Sequence, residues 1–187
     1  MNAAWLKSKH GLGLAYDEYL KTSPSHAANW RRQGVGVALD GGDRQILSTF
    51  TRRMPVICIS GLWCGDCAAQ GPMLDAIARA CPMVDLVFLD RDEHADLSNE
   101  VRIAGGNRVP TVLWMTEEFE FVHLLGDRTL TCYRRIAAAQ IGASCPLPGA
   151  LTPADEVSAV TGEWVREFER VQLILRLSPR LRALHGD

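Results

Sequence analysis

A continuous apolar run, Pro55-Val56-Ile57-Cys58-Ile59, hands over within a few residues to Trp63-Cys64-Gly65-Asp66-Cys67 and then to a helical pattern. A short run of this kind is a strand covered on both faces, so it belongs at the centre of a sheet. The two thiols then sit where that strand passes to a helix N-terminus. The first helical turn carries unpaired N–H groups and about half a positive charge, which favours the ionised form of Cys64. Cys67, one turn further in, is expected to point inward. A dithiol at this spacing among alternating strands and helices reads as a redox pair or as half of a metal site.

The alternation continues. The helix after Cys64 turns Leu74, Ile77 and Ala78 inward, carries Pro72, which removes an N–H and predicts a kink, and ends near Cys81-Pro82. Val84 to Leu89 is a second strand, parallel to the first because a helix-containing connection separates them. After the polar loop Asp90-Arg91-Asp92-Glu93-His94, a helix runs from Ala95 to Ile103 with Leu97 and Val101 inward, closed by Gly105-Gly106. Val109 to Met115 is a strand opened by Pro110, and Phe119 to Leu125 returns antiparallel after a turn at Thr116-Glu117-Glu118. Gly126 breaks the run, and Leu130, Tyr133, Ile136 and Ala137 mark a helix lying back over the sheet. The class is α/β, with a mixed sheet of about four strands, part parallel and part antiparallel hairpin, flanked by helices.

Further helices stand on either side. Leu12, Tyr16, Tyr19 and Leu20 share a helical face, Ser25 can cap a second helix through Arg32, and Gly42 to Arg53 forms a third with Ile46, Leu47 and Phe50 inward. Trp5 and Trp30 are expected to anchor this layer on the core. At the other end, Thr152-Pro153 supplies a cap and a first-turn proline. Val157, Val160, Trp164, Phe168, Val171 and Leu175 then follow at spacings of 3, 4, 4, 3 and 4. The stripe is expected to pack on its own domain; a homodimer seam or a lid over the thiols is the other use of such a face. Arg176, Arg180 and Arg182 read as a solvated helix end. The division is 1–53 a helical extension packed on the core, 54–141 the core, 142–152 a linker rich in proline and glycine, and 153–187 the C-terminal helix and tail.

Composition sets the limits. A chain of 187 residues with 47% hydrophobic content buries a proper core without staples. A net charge of −2, with both signs interspersed, argues against nucleic acid or an anionic membrane as partner. No segment approaches the roughly 20 apolar residues needed to span a bilayer, and Met1 to Lys9 lacks an apolar leader core, so a cytoplasmic protein is expected. Six cysteines in that compartment are expected to be reduced at rest. Cys81 and Cys132 read as packing residues and Cys145, in the linker, as the exposed thiol. His10, His26, His94, His123 and His185 show no metal spacing.

Taken in order, the strand, the Trp63-Cys64-Gly65-Asp66-Cys67 motif, a helix with Pro72 five residues past the second cysteine, a parallel strand, a helix, and Val109-Pro110-Thr111 opening an antiparallel hairpin resemble the thioredoxin superfamily. Arg91-Asp92-Glu93, Gly105 to Pro110 and Leu125-Gly126-Asp127-Arg128 are similar to a bacterial thioredoxin-like family with a helical N-terminal extension. The resemblance implies that Val109-Pro110 is cis and lies against the thiols, where the Val109 backbone offers an edge to an extended substrate. It also implies that Cys64 attacks a substrate disulfide and that Cys67 resolves the mixed disulfide. Trp63 would be an apolar platform at the rim, with Gly65, Asp66, Val109 and Pro110 lining the substrate. No cofactor is implied. The partners would be a protein or small molecule carrying a disulfide, and a reductase or low-molecular-weight thiol as electron donor.

Three features depart from the family pattern. Asp66 replaces the usual proline, and a carboxylate about 5–8 Å from a thiolate opposes the helix-end stabilisation by about 0.5–3 kcal/mol. Cys64 is therefore expected not to be strongly acidic, and the pair to be reducing. Cys58 stands where a buried acid usually shuttles a proton for the second cysteine; it reads as a small core residue, leaving Asp66 or water to serve. The added helices restrict access for large substrates. The reading is a thiol-disulfide oxidoreductase, against a non-catalytic binding module or a metal or iron–sulfur centre shared between two chains.

Overall fold

The computed structural model describes residues 1–140 and 155–187. Four strands, β1 (Met54–Ser60), β2 (Val84–Asp90), β3 (Thr111–Met115) and β4 (Phe121–Gly126), form one sheet in the order β2-β1-β3-β4. β1 runs parallel to β2 and antiparallel to β3, and β3 runs antiparallel to β4. Every residue of β1 and β3 is buried, as uninterrupted apolar runs require. The helix α5 (Gly65–Ala80) links β1 to β2. Residues paired across strands point the same way, so Val56, Cys58, Phe88, Val112 and Trp114 share one face of the sheet, and Ser60 continues the β1 alternation.

Two clusters of aromatic contacts close that face. Trp114 meets Phe168 edge-on at 5.3 Å and Trp164 at 6.2 Å, both from α8 (Glu156–Leu177). Phe88 stacks on Tyr19 at 5.4 Å and meets Trp30 at 6.3 Å. Tyr19 belongs to α2 (Tyr16–Lys21) and Trp30 to α3 (Pro24–Gly34), so the N-terminal helices serve as core. Trp30 also donates from Nε1 to the Leu62 carbonyl at 2.9 Å, directly upstream of the dithiol motif. The extension adds a backbone bridge from Leu14 to Phe88, at 3.0 and 2.8 Å, which covers the open edge of β2.

Several boundaries differ from the sequence reading for identifiable reasons. A helix α1 (Ala3–Gly11), capped by Asn2, precedes the first expected one, and Leu12 falls in the turn after it, largely exposed. α3 begins at Pro24, one residue before the expected cap Ser25. α4 (Gly41–Ser48) opens with a capping box between Asp40 and Asp43 but stops short of Arg53. Gln172 of α8 accepts from the Thr51 and Arg52 amides at 3.1 and 2.8 Å and donates to the Arg52 carbonyl at 3.0 Å, which draws this stretch out of helix. α6 (Ala95–Glu100) ends before Ile103, because Ile103 and Gly106 exchange two backbone bonds around Ala104 and Gly105, both at positive φ. Val109 and Pro110 precede β3, and Phe119, at φ 67°, belongs to the turn before β4.

α7 (Leu130–Gln140), expected to lie back over the sheet, packs mainly on α8 instead. In α8, Val160, Trp164, Phe168, Val171 and Leu175 are all buried within the chain, while Val157 at its start is exposed. Asp155 caps this helix by accepting from the Ser158 amide at 3.0 Å. The expected linker, Cys145 and the Thr152-Pro153 start lie outside the described residues. A short final helix, α9 (Pro179–His185), begins at Ser178 and buries Leu181; Arg180 and His185 pair with Glu118 and Glu117 rather than standing free. Among the described residues no helix is long and apolar enough to cross a membrane.

Candidate active site

Cys64 is the N-cap residue of α5, in extended conformation, so its sulfur faces the unpaired amides of the first turn. It is half-buried, whereas Cys67 has no exposed surface, and both are free thiols. The Cys64 thiol lies 3.7 Å from the Val109 carbonyl, to which it can donate. The Val109–Pro110 and Gly126–Asp127 peptide bonds are cis. The chain at Val109 and Pro110, both buried, thus closes one side of the sulfur, while Gly65 faces open space.

The two thiols are tuned in opposite directions. Hydrogen bonding from the Cys67 thiol, then from the Cys67 and Asp66 amides, outweighs burial and lowers Cys64 to about 6. Burial, followed by the neighbouring Cys64, pushes Cys67 well above the usual thiol range. Asp66 does oppose the Cys64 thiolate, but it is not a lone charge. Arg128, from the segment after β4, pairs with it directly. The expectation that Cys64 is not strongly acidic stands beside a thiol lowered to about 6, and the carboxylate that opposes it is paired with Arg128 rather than alone.

Behind Arg128 lies a buried polar cluster. Asp127 accepts from Arg128 Nη1 at 2.8 Å, from Arg108 Nη1 at 3.3 Å and from the Tyr133 hydroxyl. Gln70, on α5 one turn past Cys67, donates to the Asp127 carbonyl at 3.0 Å and accepts from Trp164 Nε1 at 3.1 Å. The C-terminal helix is thereby tied to the helix that carries the thiols. Neither Gln70 nor Trp164 was singled out for this role from sequence. A glutamine inside an apolar helix face, and therefore in need of a buried partner, was the available signal.

Trp63 is half exposed at the rim, not a core residue. Its ring folds over Gly61, where a Cβ would lie 2.7 Å from it, and the Arg91 guanidinium stacks on it at 4.6 Å from the centroid. Cys58 is fully buried on β1, and burial pushes its thiol far up, so it packs as a small apolar residue. Cys81 donates to the Leu47 carbonyl at 3.4 Å and Cys132 accepts from Thr129 Oγ1 at 3.8 Å, both as packing residues. Among the described residues no three His, Cys, Asp or Glu side chains gather as a single-chain metal site would need.

A mixed four-stranded sheet with a dithiol at the start of its first crossover helix, and a proline-opened strand facing that dithiol, defines the thioredoxin fold. The family model described as thioredoxin matches residues 13–139, and the chain belongs to that family. Over 64 residues it is 34% identical to a thioredoxin of Echinococcus granulosus, a match that takes in 34% of this chain and 57% of that protein. The chain therefore spans little more than half the length of the curated relative it matches. In structure it is similar to a protein of unknown function from Pseudomonas aeruginosa, with a TM-score of 0.66 and 16% identity over 86% of this chain and 92% of that one. It is also similar to an HIV epitope scaffold, with a TM-score of 0.57 and 17% identity over 98% of each chain. Both likenesses concern the fold alone, and they extend over the added helices as well as the core.

Proposed function

We propose that this protein is a thiol-disulfide oxidoreductase in which Cys64 attacks and Cys67 resolves. The observation that carries the reading is the opposed tuning of the two sulfurs: an accessible thiolate at a helix N-terminus, and a protonated, buried thiol one turn below it. At neutral pH Cys64 is mostly thiolate and attacks one sulfur of a substrate disulfide, whose other half departs as a thiolate. Cys67 then attacks Cys64 Sγ, closes the Cys64–Cys67 disulfide and releases the second half reduced. The Val109 backbone beside Cys64 offers an edge for an extended segment, and the Trp63 face stiffened by Arg91 offers an apolar seat next to it. The substrate is a protein or small molecule with an exposed disulfide, the donor a reductase or low-molecular-weight thiol, and the setting a reducing cytoplasm.

Insulin reduction with dithiothreitol as donor tests this. The wild type is expected to accelerate it, and Cys64→Ser to fall to the uncatalysed rate. Equal rates for the two proteins would overturn the reading in favour of a non-catalytic binding module.

A further inference from the structure

Cys67 must lose a proton as it attacks, yet it has no exposed surface, and the β1 position that could hold an acid holds Cys58. Ser60, the last residue of β1, shares the Cys58 face and is itself fully buried. Its hydroxyl lies close to both the Cys67 thiol and the Tyr19 hydroxyl. Neither Ser60 Oγ nor Tyr19 Oη has a hydrogen-bond partner of good geometry. Two orphaned hydroxyls buried beside one thiol are costly and rare, and call for an explanation. Tyr19 is held rigidly, stacked on Phe88 and edge-on to Trp30 at 5.8 Å. It lines a cleft of about 340 Å³ together with Trp63, His26, Asp90, Glu93 and His94, and Asp90 is the register partner of Ser60 across β1 and β2.

On the oxidoreductase reading above, we propose that Ser60 and Tyr19 form a hydroxyl relay that carries the Cys67 proton to the Asp90 side of this cleft. A hydroxyl can accept one proton while releasing another, so neither residue has to ionise. Burial, and then the Asp90 charge, make a free tyrosinate unfavourable, which fits a concerted transfer and not a stored charge. Ser60 lies next to Tyr19 Oη, and Asp90, Cys58 and Cys67 act on it through space. In the step itself the Cys67 sulfur forms a bond to Cys64 Sγ, and the bond from Cys64 to the substrate sulfur breaks. The electron pair leaves on the substrate thiolate, and one proton passes through Ser60 and Tyr19 to the Asp90 carboxylate, which lines the cleft and hands it to water. The N-terminal extension thus supplies what the core strand lacks.

Stopped-flow reaction with Ellman's reagent separates the two steps in the full-length chain, in a Cys145→Ser background. A first release of thionitrobenzoate reports attack by Cys64, and a second reports resolution by Cys67. Tyr19→Phe and Ser60→Ala are each expected to leave the first phase unchanged. Each should slow the second by about 10- to 100-fold near neutral pH, converging on wild type at high pH, where hydroxide takes the proton directly. Ser60→Thr, which keeps the hydroxyl, is expected to restore the rate. A second phase unchanged in Tyr19→Phe, or slowed equally at every pH, would overturn the relay. Absence of any second release from the wild type would instead overturn the oxidoreductase reading.

Discussion

The Asp66–Arg128 pair makes a signed prediction about Cys64. In the wild type the carboxylate opposes the thiolate, Arg128 pairs with that carboxylate, and Cys64 is lowered to about 6. Replacing Arg128 by Gln leaves the Asp66 charge about 5–8 Å from the sulfur, where an effective dielectric between 20 and 80 makes it worth about 0.5–3 kcal/mol. Because Asp66 already acts in the wild type, the midpoint of thiolate formation should rise from about 6 to at most about 8, since each 1.4 kcal/mol is about tenfold in ionisation. Asp66→Asn should move it the other way, because Arg128 then faces the thiolate uncancelled, and the double variant should return near the wild type. Iodoacetamide alkylation of Cys64 against pH, with thiolate ultraviolet absorbance as a check, measures all four proteins. Arg128→Lys controls for packing, because it keeps the charge and should stay close to about 6. Since a stabilised thiolate favours the reduced pair, Arg128→Gln should also lower the reduction potential, by about 30 mV per 1.4 kcal/mol of lost stabilisation. An unmoved midpoint in Arg128→Gln, or equal displacement in Arg128→Gln and Arg128→Lys, would refute the charge argument.

Two further outcomes concern the scaffold. A Cβ on Gly71 would sit 2.2 Å from the Trp30 ring, which has no room to retreat, so Gly71→Ala should cost about 1–3 kcal/mol and lower the melting temperature by about 2–12 °C; an unchanged melting temperature would contradict the close packing of α3 on α5. At Asp127 burial acts to raise the carboxyl, but the Tyr133 hydroxyl, its own amide, Arg128 and Arg108 together hold it below the usual carboxylate range. Its contribution is therefore complete above about pH 4, the unfolded value, and is lost as pH falls through the lower folded value. The urea-midpoint gap between wild type and Asp127→Asn should accordingly close between neutral and acid pH, and a gap that stayed constant would count against this assignment.

The elements that carry the dithiol were readable because each follows from local rules. β1 is apolar without interruption, the thiols precede a helical period, and the order of strands allows one mixed sheet. The ends of elements were less legible. Gln172 reaches from α8 to the backbone at Thr51 and Arg52, more than a hundred positions away, and no local propensity in Gly42 to Arg53 records that bond. The pairing of Asp66 was hidden for the same reason. Asp66 is visible next to the thiols, but its partner Arg128 arrives from beyond β4.

By itself, the sequence determined the class of fold, the place of Cys64 at a helix start and the burial of Cys67, because strand period, helix period and first-turn chemistry act over a few residues. Only the tertiary structure decided what surrounds those sulfurs: Arg128 against Asp66, Gln70 joining Asp127 to Trp164, and Tyr19 brought beside Ser60 from the N-terminal helices. Charge and proton transfer depend on distances of a few ångströms between groups far apart in the chain, and such distances exist only once the layers have packed.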